Sequence, residues 1–156
     1  MDVKYIKPFV AATQTVFKTM LNMEPRMGKP ILKDSGVTSG DVTGIMGLTG
    51  DKLGSVCVSF GERGAVLVYN ALMGDDHDTI SPEVIDAIGE LTNIIAGQAR
   101  KEFEKAGINL KAAIPNVVVG RGVDLHFISK VPIVSLPFSF SSAGEEAVMH
   151  VDFSLE

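Results

Sequence analysis

The sequence predicts one α/β domain, an α+β sandwich in which a mostly antiparallel sheet packs against long helices. Three observations carry that expectation. Two long segments place apolar residues at helical spacing, and short alternating runs divided by glycine turns follow each of them. No linker or low-complexity stretch divides the 156 residues, so the domain is taken as 1–156. The order helix, strands, helix, and again helix, strands, reads as two degenerate helix-plus-strands halves whose residue-level similarity is weak. Such an order suits a sheet covered by helices on one face.

The first helix spans Val3 to Met23, where Ile6, Phe9, Val10, Thr13, Val16, Phe17 and Met20 recur on one side. Pro8 lies near its start, where proline is best tolerated. "MEPRMGKP" then breaks the pattern. "GIMGLTG" and "GSVCVSFG", joined by a turn at "TGDKLG", form a hairpin. "ERGAVLVYNALMG" is a short helix ended by Gly74. After the polar loop "DDHDTISPEV", Ser81 is placed to cap a long helix, with Pro82 at its first position. That helix runs to about Ala106 and stops at Gly107. Three strand-like runs complete the chain: "AAIPNVVVG", "VPIVSLPFSFSS" and "AVMHVDFSL", the last two joined by the turn "SAGEE".

Composition excludes several function classes. Hydrophobic residues make up 46% and charged residues 21%, which fits a globular chain and not a disordered one. A net charge of -5, with no basic run interleaved with aromatics, argues against nucleic acid as a partner. The single Cys57 leaves no internal disulfide framework and suits a reducing compartment. "MDVKYIKPFV" lacks the apolar stretch of a signal peptide, and no apolar run approaches the roughly 20 residues that cross a bilayer. The expectation is a soluble cytoplasmic protein without a membrane partner.

The long helix "DAIGELTNIIAGQARKEF" poses the functional question. At about 100° per residue, taking Asp86 as zero, Glu90 projects to roughly 40°, Asn93 to 340° and Gly97 to 20°. Val84, Ile88, Leu91, Ile95, Ala99 and Phe103 gather on the opposite side and form the buried face. Asn and Gly are poor helix formers, and Gly in a helix interior costs about 1 kcal/mol against Ala. Core packing does not repay that on an outward stripe. A solvated polar face is the ordinary reading. A functional face is the other, since glycine admits a second backbone and an amide presents both a donor and an acceptor.

These residues resemble a known signature. D-x3-E-x2-N, here Asp86, Glu90 and Asn93, is similar to the active-site motif of the CheC/CheX/FliY family of chemotaxis phosphatases. The motif continues to a proline, here Pro115, with 21 residues between it and Asn93, one short of the usual gap. "IGELTNIIAG" and the "PF" followed by "VFKTML" of the first helix also look like the family. The motif occurs once, and the matching "AATQTVFKTML" has no E-x2-N, which favours the CheX-like branch. The resemblance implies a CheC/CheX-like fold and hydrolysis of the aspartyl phosphate of a CheY-like response regulator. It implies that Asn93 positions the attacking water and that Glu90 docks the regulator's lysine. Asp86 would support docking or the helix start, Gly97 would leave room for the partner, and Pro115 would shape the entry of a neighbouring strand.

The chain would bring no cofactor or metal of its own, because the Mg²⁺ belongs to the phosphorylated regulator. Family members are similar in forming homodimers joined edge to edge through their sheets. The long apolar run "VPIVSLPFSFSS" suits that, since such an edge left free invites aggregation. The alternative is a non-catalytic module of the same fold that binds a receiver or a motor-switch component.

Other polar groups read more plainly. "GDDHD" lacks the ligand spacing of a calcium loop or zinc site and is taken as a solvated loop. His126 and His150 are expected to be paired structural histidines, and Cys57 a small buried residue with no base placed to activate it. "GERG" and "GRG" are turns without the fixed pattern of a phosphate loop. The seven methionines are scattered, as core filling would have them.

Overall fold

The computed structural model describes residues 3–156; Met1 and Asp2, the start of "MDVKYIKPFV", lie outside the described residues. Helix α1 covers Val3–Leu21, α2 Glu62–Met73 and α3 Pro82–Lys105. The strands are β1 (Arg26–Met27), β2 (Ile31–Lys33), β3 (Val42–Gly50), β4 (Gly54–Phe60), β5 (Leu110–Ala112), β6 (Asn116–Val119), β7 (Ile133–Ser142) and β8 (Glu145–Leu155). They form one sheet in the order β1-β7-β8-β4-β3-β5, with β2 also on β7 and β6 also on β3. Every strand pairing among the described residues is antiparallel.

The two expected hairpins, β3–β4 and β7–β8, lie side by side and meet along β4 and β8, where Val58 faces Val151 and Val56 faces Phe153. Alternation along β4 sends Val56, Val58 and Phe60 toward the helices, where all three are fully buried. Phe9 of α1 stacks on Phe153 with ring centroids 4.4 Å apart and meets Phe103 of α3 edge-on at 5.4 Å. Offset and edge-on aromatic pairs of this kind add to the free energy of burial. The helices thus share one apolar core with the sheet. Ile88, Leu91, Ile95 and Phe103 are the α3 contribution expected from periodicity.

Two features differ from the sequence reading. The sheet is not covered on one face alone. Thr43, Ser59, Ser135 and Asp152 point away from the helices, yet all are buried, beneath segments around residues 33–39 and 123–131. Their polar groups are satisfied there. Ser135 Oγ donates to Asp152 at 2.5 Å, Lys33 Nζ lies 2.9 Å from the other Asp152 oxygen, and Thr43 and Ser59 hydroxyls meet at 2.9 Å. Cys57 sits among them, and burial, with Asp152 beside it, pushes its thiol pKa up to about 12. Periodicity cannot foretell such a cover, because loops supply it.

Nor is β7, the long apolar run, a bare edge. β8 flanks one side, while β1 and β2 occupy much of the other. Strands of two and three residues leave no periodic trace, so neither "MEPRMGKP", which holds β1, nor the residues just after it, which form β2, announce them.

Candidate functional site

Helix α3 is held at both ends and pinned along its length. Ser81 caps it, its hydroxyl accepting from the Val84 N–H at 3.3 Å, and Pro82 occupies the first turn as expected. Ala106 and then Gly107, at φ 80°, end it. Between these ends α3 approaches the sheet closely. A Cβ on Gly44 of β3 would lie 2.0 Å from the Thr92 hydroxyl oxygen and 2.8 Å from Thr92 Cβ. No real side chain tolerates that, so the glycine is what lets helix and strand meet. One turn earlier, a Cβ on Gly89 would be 3.0 Å from Val117 of β6. Thr92 is fully buried and donates to the Ile88 carbonyl at 2.7 Å.

Glu90 and Asn93 follow directly upon these two contacts. Gly89 and Thr92 are clamped to the sheet, and the next residue in each case turns outward. Asp86, Glu90 and Asn93 are all exposed, in line on one flank of α3. Among the described residues the side chains of these three make no hydrogen bond or ion pair. The structure therefore places an acid and an amide three residues apart on a fixed backbone, with both side chains unengaged. Asp86 stands in the second turn. The first-turn acid is Glu83, whose carboxyl is held below its usual range by its own backbone N–H and by the Ser81 hydroxyl.

Gly97 continues the stripe and is half-buried. No heavy atom lies within 4 Å of where its Cβ would be, so packing inside the chain does not demand a glycine there. It borders an open cleft of about 450 Å³ with Ile94, Gln98, Arg100, Lys101 and Glu104 of the helix.

Pro115 lies at a break in the edge strand beside α3. β5 and β6 both pair with β3, but their registers disagree. Leu48 faces Ala112, whereas Ile45 faces Asn116, so the edge strand spends four steps where β3 spends three. That surplus residue is a β-bulge, made of Ala113, Ile114 and Pro115. Pro115 has no N–H to give the ladder, and an edge bulge is where a strand accepts it. It immediately precedes β6, the strand entry assigned to it from the sequence.

The remaining polar motifs are self-contained. In "GDDHD" the His77 ring packs edge-on to Tyr69 at 4.8 Å, its Nε2 lies 3.0 Å from Asp75, and its Nδ1 is 3.2 Å from the Ser81 hydroxyl. Among the described residues, no three His, Cys, Asp or Glu side chains gather as metal ligands. His126 is exposed and lies 3.3 Å from Asp124. His150 is largely buried, which lowers its pKa.

Sequence reasoning missed Asp41. Its carboxylate accepts from the Glu62 N–H at 2.7 Å and from Arg121 Nε at 2.5 Å, and so caps α2, whose own N-cap, Gly61, has no side chain to do it. Those two bonds, the backbone one first, hold the Asp41 carboxyl below its usual range. It missed the Gly44–Thr92 contact as well, although a glycine in mid-strand is a recognised sign of close backbone approach.

The candidate site is thus an open flank of helix on an α/β domain with an antiparallel sheet. Comparison with known proteins gives the class to which this domain belongs. Residues 42–139 match the model of the chemotaxis phosphatase CheX family. The CheY-P phosphatase CheX of Thermotoga maritima is 30% identical over 143 residues, 91% of each chain. A chemotaxis protein CheX from Desulfovibrio desulfuricans superposes with a TM-score of 0.85 at 38% identity, over 98% of this chain and 99% of that one. The CheX-CheY-BeF3-Mg²⁺ complex from Borrelia burgdorferi matches with a TM-score of 0.75 at 27% identity, over 97% of each chain. The chain belongs to the CheX family of chemotaxis phosphatases. No helix among the described residues is long and apolar enough to cross a membrane.

Proposed function

We propose that this protein is a phosphatase that accelerates hydrolysis of the aspartyl phosphate of a CheY-like response regulator. The observation that carries the proposal is the pair Glu90 and Asn93, exposed and unengaged on a helix fixed to the sheet immediately beside each of them. An aspartyl phosphate in a receiver already has Mg²⁺ and a lysine around its oxygens. What remains is to hold a water in line with phosphorus, because phosphoryl transfer is governed by positioning and charge stabilisation. An amide suits this, since its carbonyl accepts from the water while its N–H groups donate to phosphoryl oxygens. Asn93 takes that role.

Glu90, one turn earlier on the same flank, pairs with the receiver's lysine and sets the angle of approach. Asp86 extends the acidic side of the docking surface, and Gly97 leaves room for the receiver's backbone. The chain contributes no metal in this reading. Mg²⁺ comes with the receiver, in keeping with the composition of the Borrelia complex. The partner sets a cytoplasmic location.

The protein is also read as a homodimer through sheet edges. With β7 sheathed, the outer edge on that side is β1 and β2, where Met27, Ile31 and Leu32 are exposed. A monomeric mass by light scattering at micromolar concentration counts against this.

The test of the phosphatase reading is the decay of a phosphorylated receiver from the same genome, with wild type, Asn93→Ala and Glu90→Ala. Acceleration by the wild type and its near loss in both variants is the expected result. A receiver that binds yet decays at its own rate leaves the docking-module alternative in place.

A further inference from the structure

We infer that Ile114, at the bulge of the β5–β6 edge, is an apolar anchor that the receiver buries when it docks on Asn93. The inference rests on the phosphatase reading for the identity of its partner. Ile114 is 85% exposed, the most exposed of the large hydrophobic residues described. A lone exposed isoleucine is ordinary; its position is not. Val117 touches Gly89 near the start of α3, and Arg100 near its end donates to the Leu110 carbonyl at 2.9 Å. The edge strand therefore runs alongside α3 in the opposite direction. The bulge between those two contacts lies beside the stretch of helix that includes Asn93 and Gly97. On the helical projection, Gly89 falls roughly 40° from Asn93, so the strand borders the very flank that carries the amide. The surplus residue of the bulge interrupts the alternation between Ala112 and Val117, which both take the α3 side, and leaves Ile114 projecting into solvent at this edge.

A partner that closes on Asn93 cannot avoid this neighbour. Asn93 is a short side chain on a helix whose preceding turn is clamped to the sheet, so a water held by its amide requires the partner's surface within a few ångströms. The bulge and Pro115 also decide between occupants. A second copy adding a strand at this edge would need an unbroken ladder, and a bulge containing proline is a device that prevents it. Backbone pairing being blocked, the edge offers a side chain, and the receiver is the partner brought to it by the adjacent amide. Central apolar anchors beside polar working groups are the usual energetic core of such contacts.

The experiment compares wild type, Ile114→Ala, Ile114→Asp and, as a control, Ile128→Asp, which alters an isoleucine 76% exposed on the loop covering the opposite face of the sheet. Two quantities are read for each: affinity for the beryllofluoride-loaded receiver with Mg²⁺, and the KM and kcat of phosphoreceiver hydrolysis. Ile114→Asp should weaken binding at least about tenfold and raise KM alike, with kcat little changed. Ile114→Ala should fall between it and wild type, and Ile128→Asp should match wild type. Unchanged affinity and KM in Ile114→Asp, with an active wild type, overturns the anchor and leaves the phosphatase reading intact. A wild type that binds but does not hydrolyse sinks the phosphatase reading, and the anchor is then decided on affinity alone. A wild type that neither binds nor hydrolyses overturns both.

Discussion

Helices α1 and α3 press against the same core, through Phe9 and Phe103 among others, yet only α3 is built to present chemistry. Both have a strongly apolar inner face, and that face is all the core requires of either. The difference lies in how firmly each is indexed to the sheet. α3 is capped by Ser81, lies against Gly44 through Thr92 and against Val117 through Gly89. Each such contact fixes the helix in rotation and along its axis, because a Cβ of ordinary size at Gly44 would drive the two apart. No strand glycine meets α1 in that way. The lesson is that a working side chain on an open surface owes its placement to what lies directly behind it. Glu90 and Asn93 each follow the clamped residue in sequence, so the clamp sets their height and direction.

The sharpest way to test the contrast is to cut one exposed amide from each helix. Asn93→Ala should reduce acceleration of phosphoreceiver decay by up to ~10³-fold, the scale of positioning contributions in phosphoryl transfer. Gln14→Ala, on the exposed side of α1, should leave it unchanged. Neither should lower the melting temperature, since both side chains lie outside the core and alanine is the better helix former. Equal losses from the two changes would mean that activity follows the surface in general and not the α3 stripe.

A second change attacks the clamp instead of the working group. Gly44→Ala should destabilise the fold by roughly 1–3 kcal/mol, the usual cost of forcing extra atoms into a packed contact. Thr92 cannot step aside, because its Cβ, not only its hydroxyl, would lie 2.8 Å from the new atom. Cys57 reports this independently. With its thiol pKa at about 12 and its side chain under the loops, it should resist alkylation at pH 8 until the fold opens. Labelling should quicken in Gly44→Ala and stay slow in Asn93→Ala. The reverse order would show that α3 does not depend on the strand glycine.

These contacts also mark the limit of what was legible in the sequence. The long helices, the two hairpins, the cap at Ser81 and the stop at Gly74 could be read because each is a local pattern of spacing or of turn chemistry. Asp86, Glu90 and Asn93 could be placed on one flank for the same reason. The Gly44–Thr92 contact joins residues 48 positions apart, and nothing local ties that glycine to that threonine. The bulge at Ala113 to Pro115 needed the register of β3 to be visible, for "AAIPNVVVG" alone reads as one strand. The buried polar layer of Ser59, Ser135 and Asp152 left no local sign, because alternation says which side a residue takes and not what loop will cover it.

Gly97 gives the smallest effect and the most discriminating one. With open space where its Cβ would sit, Gly97→Ala creates no clash within the chain, and alanine in a helix interior is favoured by about 0.5–1 kcal/mol. The melting temperature should rise by about 1–4 °C for a chain of this size. If the residue is glycine so that a receiver's backbone can come close, the same substitution should weaken acceleration several-fold while the protein becomes more stable. Stability and activity moving in opposite directions cannot be explained by damage to the fold. A stabilised variant with full activity would make Gly97 an unremarkable residue beside the cleft, and would confine the working face of α3 to Asp86, Glu90 and Asn93.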